Sequence, residues 1–454
     1  MIFQDILKDR QFICKLFSLT LPISMQSLML ALVAAADAFM LGKVSQDAMA
    51  AVSLATQIQF VQNILLYSIV CGIGILGAQY WGRKDKPMMI RIFGISVRDA
   101  AVVSLPFFIG CFFFPTQLMR LFASDPVLIE YGVEYLKIAS WSYLLTGISQ
   151  CYLAIMRVSD QAVCSAWISS VTVVLNIILN ALFIFGLAGF PAMDIRGAAL
   201  ATVGARIFEL LWCIALSGKA NFIPLKLKKV FALSKTLTGE FWLYALPVLG
   251  SCLLWGVGFT SYTAIMGHLG SDAAAANSIA SVVRDLICCL CNGIAGGVGI
   301  LIGNELGAGN LTKGKTYGNW AALLAFVSGF VSSVIVLAFL PLLKGFVKLT
   351  PQAVEYMDGM FLILCVYMIG RCVCTVVING IFSSGGDTLF DVYSLAVCMW
   401  GIALPCAFLG AFYFHLPVLA VYACTCLDEV GKVPWVMHHF KKYKWVKNIT
   451  RDLP

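Results

Sequence analysis

Leu21-Pro22, Gly42, Asp47-Ala48, Ala50-Ala51, Gly72, Gly74-Ile75-Leu76 and Gly82 return later in the chain as Leu246-Pro247, Gly267, Asp272-Ala273, Ala275-Ala276, Gly297, Gly299-Ile300-Leu301 and Gly307. The offset is constant: 247 − 22 and 307 − 82 both give 225, about half of the 454 residues. Self-similarity at that period means two copies of one unit. Apolar bias alone would align Leu with Leu or Ala with Ala. It would not align the Pro, Gly and Asp residues that bend and cap helices, so the repeat is specific. In an apolar chain, duplicated halves point to a transporter whose substrate site lies between them.

The chain is 60% apolar and only 12% charged, whereas a soluble domain carries roughly a quarter charged residues. It therefore reads as an all-α polytopic membrane protein. Apolar stretches of about 20 residues, enough to cross a ~30 Å hydrocarbon core as helices, recur twelve times, six in each half. The approximate spans are 12–41, 51–81, 92–115, 130–156, 162–186 and 194–217, then 240–267, 275–306, 317–343, 355–382, 391–414 and 416–437. This divides the chain into an N-terminal six-helix lobe (1–217), a basic linker (218–239), a pseudo-symmetric C-terminal six-helix lobe (240–440) and a basic tail (441–454). An even number of spans per copy relates the lobes by an axis along the membrane normal and places both termini on one side.

Lys and Arg identify that side. The termini and even-numbered loops hold 21 of them, and the odd-numbered loops hold five: Lys43, Arg120, Arg196, Lys344 and Lys348. The positive-inside rule puts both termini in the cytoplasm of a cell whose plasma (inner) membrane holds the protein. The net charge of +8 reports topology and contact with anionic membrane lipid. Its basic residues are spread over separate loops with no nucleic-acid-binding module around them. The opening segment, Ile2 to Leu16, alternates charged and apolar residues and is expected to lie on the inner surface. The 17 cysteines fall almost all inside apolar spans and read as small packing residues. Cys288, Cys289 and Cys291 lack a second set at zinc-ligand spacing, so no metal site is expected.

An ionisable side chain inside hydrocarbon costs on the order of 3 kcal/mol, so each requires an explanation. Asp37 is the sharpest case. It stands in the outer third of the first span among Ala34, Ala35, Ala36 and Ala38, with no basic residue within a helical turn. Such a carboxylate could exchange a proton, or bind a sodium ion with neighbouring oxygens. Its repeat counterpart is Tyr262, so ion coupling at this position belongs to the N-terminal lobe. Asn176 and Asn180, four apart on the fifth span, project from one face and could complete a polar pocket, joined by Thr202 on the sixth span. Gln26, eleven residues before Asp37, shares its face. The alternative for each amide and hydroxyl is simple helix-to-helix hydrogen bonding.

Arg284 and Asp285 fall near the bilayer midplane of the eighth span. Adjacent helical residues do not face each other, so each is expected to need its own partner. Arg206 and Glu209, three apart, can pair locally, and Arg371 on the tenth span reads as part of an ion-pair network. Tyr67, Tyr143, Trp255 and Tyr262 offer an aromatic, cation-tolerant lining for a substrate chamber, with Gln26, Arg284 and Asp285 as its polar members. Pro22 and Pro247 each delete a backbone hydrogen bond in the first helix of a copy. The glycines of the second and eighth spans allow close packing or a hinge. No Walker loop, Gly-x-Ser-x-Gly or His-Glu-x-x-His motif is present. The chain is therefore not read as an enzyme, and transport driven by its own ATP hydrolysis is excluded.

In these residues the chain resembles the multidrug and toxic compound extrusion (MATE) family, and in particular its DinF-like branch. The resemblance rests on Leu21-Pro22-Ile23, Ala36-Asp37 and Leu41-Gly42; on Ile75-Leu76-Gly77-Ala78-Gln79-Tyr80-Trp81-Gly82; and on Gly197-Ala198-Ala199-Leu200-Ala201-Thr202. It continues in Ile302-Gly303-Asn304-Glu305-Leu306-Gly307-Ala308-Gly309 and Ser384-Gly385-Gly386-Asp387-Thr388. It implies two six-helix lobes around a V-shaped chamber, and export of small organic cations or amphipathic compounds in exchange for H+ or Na+. It makes Asp37 the coupling acid, with no cofactor beyond the coupling ion and a monomer as the expected state. DinF-like members read Asn-x-x-x-Asp on the fifth span, where this chain has Asn176 and Asn180. The acid that some members carry on the seventh span also has no match here. A lipid-linked precursor flippase of similar fold is the alternative, although such proteins favour a more basic chamber. A membrane-embedded enzyme or receptor would show clustered His or carboxylates on its cytoplasmic loops, where this chain has mainly Lys and Arg.

Overall fold

The computed structural model describes residues 9–189, 191–226, 230, 235–346 and 350–451. Helices α1 (Arg10–Gly42), α2 (Gln46–Gly82), α3 (Lys86–Phe113), α4 (Pro126–Val158), α5 (Ala162–Phe185) and α6 (Asp194–Ser217) form the first copy. Helices α7 (Lys235–His268), α8 (Ser271–Gly307), α9 (Leu311–Phe346), α10 (Pro351–Phe382) and α11 (Leu389–Phe412) follow. In hydrocarbon every backbone N–H and C=O must be bonded within the segment, which long helices achieve. Their ends are marked by capping residues. Ser45, Asp85, Asp125 and Thr350 accept from the N–H of Ala48, Met88, Val127 and Ala353, satisfying donors that the first helical turn leaves free. Gly186 closes α5 in the left-handed conformation, which glycine adopts without strain. The surface segment's residues 2–8, Lys228 and Lys229 of the linker, Lys348, and the side chains of Ala34, Ala35 and Ala38 lie outside the described residues.

Ten of the described helices are long and apolar enough to cross a membrane. α4 falls outside that set because Ser140, Ser142, Thr146, Ser149 and Gln150 dilute the apolar character of its charge-free stretch, 138–156. The last expected span, 416–437, is broken into α12 (Val418–Thr425), α13 (Leu427–Val430) and α14 (Val433–Lys441). The break brings Asp428 and Glu429 into the interior, 5% and 2% exposed. Lys432 is likewise buried and lies 3.2 Å from Glu429.

The chain forms two compact units that depart from the 1–217 and 240–440 division. One holds Met1–Ser24 with Leu246–Asp452, and the other holds Met25–Ala245. Each unit thus takes the leading end of the other copy's first helix, and the change-over falls beside Pro22 and Pro247. Within the second unit, a Cβ at Gly72 would meet the ring of Phe241 at 2.7 Å. Within the first, the backbones of Thr20 and Ser24 lie against Gly297 and Gly293. These glycines permit close approach of helices, the packing role that small residues have in membranes. The second unit's core gathers Leu41, Ala55, Leu136, Tyr143 and Ile184; that of the first gathers Met266, Val283, Phe361, Leu364 and Val421. Cysteines contribute to both cores. On α8 and α10, Cys291 and Cys372 pack against each other with Cα atoms 5.5 Å apart.

Candidate functional site

Asp37 of α1 meets the amides of α5. The Asn180 side-chain amide donates to Asp37 Oδ1 at 2.5 Å and to Asn176 Oδ1 at 3.2 Å. The four-residue spacing puts both amides on one face, as expected. Asn176 and Asn180 are buried, and Asn180 Oδ1 has no hydrogen-bond partner. The Thr202 hydroxyl donates to Ala198 O at 3.0 Å in its own helix, and Tyr135 is a buried phenol within electrostatic reach of Asp37. Tyr135 was not singled out from sequence, because an aromatic residue in an apolar span carries no distinguishing pattern. Arg206 also acts on Asp37 electrostatically, but its guanidinium is paired with Glu209 at 2.9 Å. Among the described ion pairs, none includes Asp37.

Three other candidates sit elsewhere. Gln26 donates to Ser169 Oγ at 2.7 Å and accepts from Arg157 at 3.0 Å. At a rise of 1.5 Å per residue it stands about 16 Å along α1 from Asp37, so it shares a helix face with the acid but not a pocket. Tyr143 is 1% exposed and belongs to the apolar core of its unit. Tyr67 is half-exposed on α2. Neither Tyr143 nor Tyr67 lines the cavity described next.

The unit containing α8 and α10 holds a cavity of about 240 Å³. It brings together four residues chosen from sequence: Trp255, Tyr262, Arg284 and Asp285. The expectation of separate partners for Arg284 and Asp285 does not hold. Arg284 reaches Asp285 Oδ1 through Nε at 3.0 Å and through a terminal nitrogen at 2.9 Å. The long, flexible arginine side chain curls back over its own helix, and a rule framed for facing side chains does not constrain it. The Arg284 guanidinium also lies 4.4 Å from the centre of Phe259. Phe259 stacks on Trp255 at 5.4 Å, and Arg371 sits 5.9 Å from the Trp255 ring. Arg371 is held in turn by Glu429 at 2.5 Å, the network expected for it. Asp428 also lines this cavity and was missed; its signal was an acid inside the apolar stretch 416–437.

Comparison with known proteins places this architecture. The MatE family model matches residues 22–182 and 247–409, one match in each copy. "Probable multidrug resistance protein NorM" of Thermotoga maritima is 25% identical over 457 residues, covering 96% of this chain and 94% of that protein. "Uncharacterized transporter YisQ" of Bacillus subtilis is 23% identical over 441 residues, covering 97% and 95%. Among solved structures, the Vibrio cholerae MATE transporter VcmN in the bent form superposes with a TM-score of 0.83 at 16% identity, covering 95% of this chain and 97% of that one. A MOP superfamily transporter from Pyrococcus furiosus gives 0.84 at 16%, covering 94% and 95%. With two matched repeats that together span most of the sequence, this chain belongs to the MATE family of multi-pass membrane transporters and is not an enzyme.

Proposed function

We propose that the protein is a secondary antiporter that exports small organic cations or amphipathic compounds across the plasma membrane in exchange for H+ or Na+, by alternating access of its two halves. Both termini lie in the cytoplasm, and a monomer suffices. One observation carries this reading: Asp37 is a carboxylate inside an apolar span whose hydrogen-bond partner is the neutral amide of Asn180. A guanidinium partner would hold the acid permanently charged. An amide leaves it able to take up and release a cation. The partnerless Asn180 Oδ1 beside it supplies a second oxygen, and oxygen is what hard cations require. The names of relatives such as the Thermotoga maritima NorM protein support a drug cargo.

The test uses purified protein in sealed vesicles, a cationic dye, and pH and sodium gradients imposed separately. One gradient is expected to drive dye movement, and Asp37→Asn is expected to abolish that coupling. Dye movement indifferent to both gradients would overturn antiport. Undiminished coupling in Asp37→Asn would overturn the role given to the acid.

A further inference from the structure

The cavity bounded by α7, α8, α10 and the interrupted α12–α13 segment is lined by charges of both signs: Arg284 and Arg371 on one account, Asp285 and Asp428 on the other. The two guanidiniums are held in place. Each lies against one ring of the stacked Phe259–Trp255 pair, a contact that favours cations over arenes. Each also keeps side-chain surface open, 14% for Arg284 and 20% for Arg371. Their protein partners leave donors to spare, since a guanidinium has five N–H groups. Arg284 spends two on Asp285, which is itself 64% exposed.

The acidic side of the cavity is unfinished. Asp428 is 5% exposed and Tyr262 7%, yet Asp428 Oδ1 and the Tyr262 hydroxyl have no hydrogen-bond partner. Buried polar atoms of this kind are costly unless something bonds them. The lining charges already balance, so a bare cation or a bare anion would bring an unmatched charge into a low-dielectric space. A ligand that carries both signs and no net charge would not.

We propose that this cavity binds an apolar-bodied zwitterion, with its ammonium group on Asp428 and Tyr262, its carboxylate on Arg284 and Arg371, and its body against Phe259 and Trp255. This deepens the transport reading, and rests on it only in treating the ligand as cargo. Binding itself is measured without any gradient.

The experiment is fluorescence titration of the purified full-length protein in nanodiscs with three matched probes. Nα-dansyl-lysine carries both groups, dansyl-cadaverine the ammonium alone and dansyl-norleucine the carboxylate alone. Dansyl-lysine is expected to bind at least about tenfold more tightly than either of the others, the scale of one charge-assisted hydrogen bond. Arg284→Gln is expected to reduce its advantage over dansyl-cadaverine, with Arg371 retaining part of the carboxylate's hold, while dansyl-cadaverine itself binds no more weakly than before. Arg284→Lys keeps the charge without the fork and should retain part of the preference, which controls for folding. Asp428→Asn should erase the advantage over dansyl-norleucine. Equal binding of the three probes, as a merely water-filled cavity would give, overturns the proposal. So does an equal loss of all three in Arg284→Gln. Because Asp37→Asn leaves this cavity intact, the order of probe affinities should survive in that variant even where transport is lost, so the two readings fail separately.

Discussion

The carboxylate at position 37 and the amide at position 180 function as a pair, and each can be tested separately. Asn180→Leu preserves volume but removes the donor to Asp37 Oδ1, a charge-assisted bond of about 1.5–3 kcal/mol. Gradient-driven transport should fall at least about tenfold in vesicles, and the variant should unfold earlier in detergent by about the 1.5–3 kcal/mol that the bond supplies. Arg206 and Glu209 are expected to behave differently. Glu209 is almost fully buried against Arg206 at 2.9 Å, and removing one partner strands the other charge. Arg206→Met should therefore destabilise by about 3–5 kcal/mol, with much of the loss recovered in the Arg206→Met, Glu209→Gln double variant; paired unfolding curves measure both. Local spacing made these residues legible: i,i+4 for the two amides and i,i+3 for the ion pair. Spacing failed at Arg284 and Asp285, because a long side chain can turn back on its neighbour.

Element by element, eleven of the spans could be read from apolar run length and from the Pro, Gly and Asp punctuation between them. The twelfth could not. A hydropathy pattern averages over Asp428, Glu429 and Lys432, whereas the folded chain breaks there into α12, α13 and α14 and buries all three. The segment after α14 was expected to be a basic tail, yet it packs as part of its unit. Trp445 is fully buried, stacks on Phe440 at 5.8 Å, and lies against the backbones of Gly318 and Gly385. Lys315 sits 3.9 Å from the ring of Tyr443, so even the basic residues around the tail are partly engaged with aromatic faces. Trp445→Ala should cost about 3–5 kcal/mol, as large-to-small changes in a packed interior do, and should appear as an earlier unfolding transition. Lys444→Ala, at an exposed position beside it, should leave that transition in place.

At the scale of the whole chain, the repeat and the compact units do not coincide, and the offset of the copies shows why. Gly72 and Gly297 occupy equivalent positions 225 residues apart. Gly72 receives Phe241 from the leading end of α7, and Gly297 receives Thr20 from the leading end of α1. Each copy therefore lends the start of its first helix to the unit built mainly from the other, and Pro22 and Pro247 stand where the loan begins. Nothing in a hydrophobic pattern distinguishes this from self-packing, because lipid-facing and helix-facing residues are equally apolar; the glycines mark a close approach without naming the partner. The exchange makes a prediction about assembly. If the chain is expressed as two fragments, 1–224 and 225–454, the fragments should co-purify and recover dye transport, because the packing that unites them does not depend on the linker. Deleting residues 10–24 from the first fragment should prevent recovery of the second, since 246–452 would lack the helix that fills the groove at Gly293 and Gly297. Equal recovery with and without residues 10–24 would show that the C-terminal repeat completes its own core.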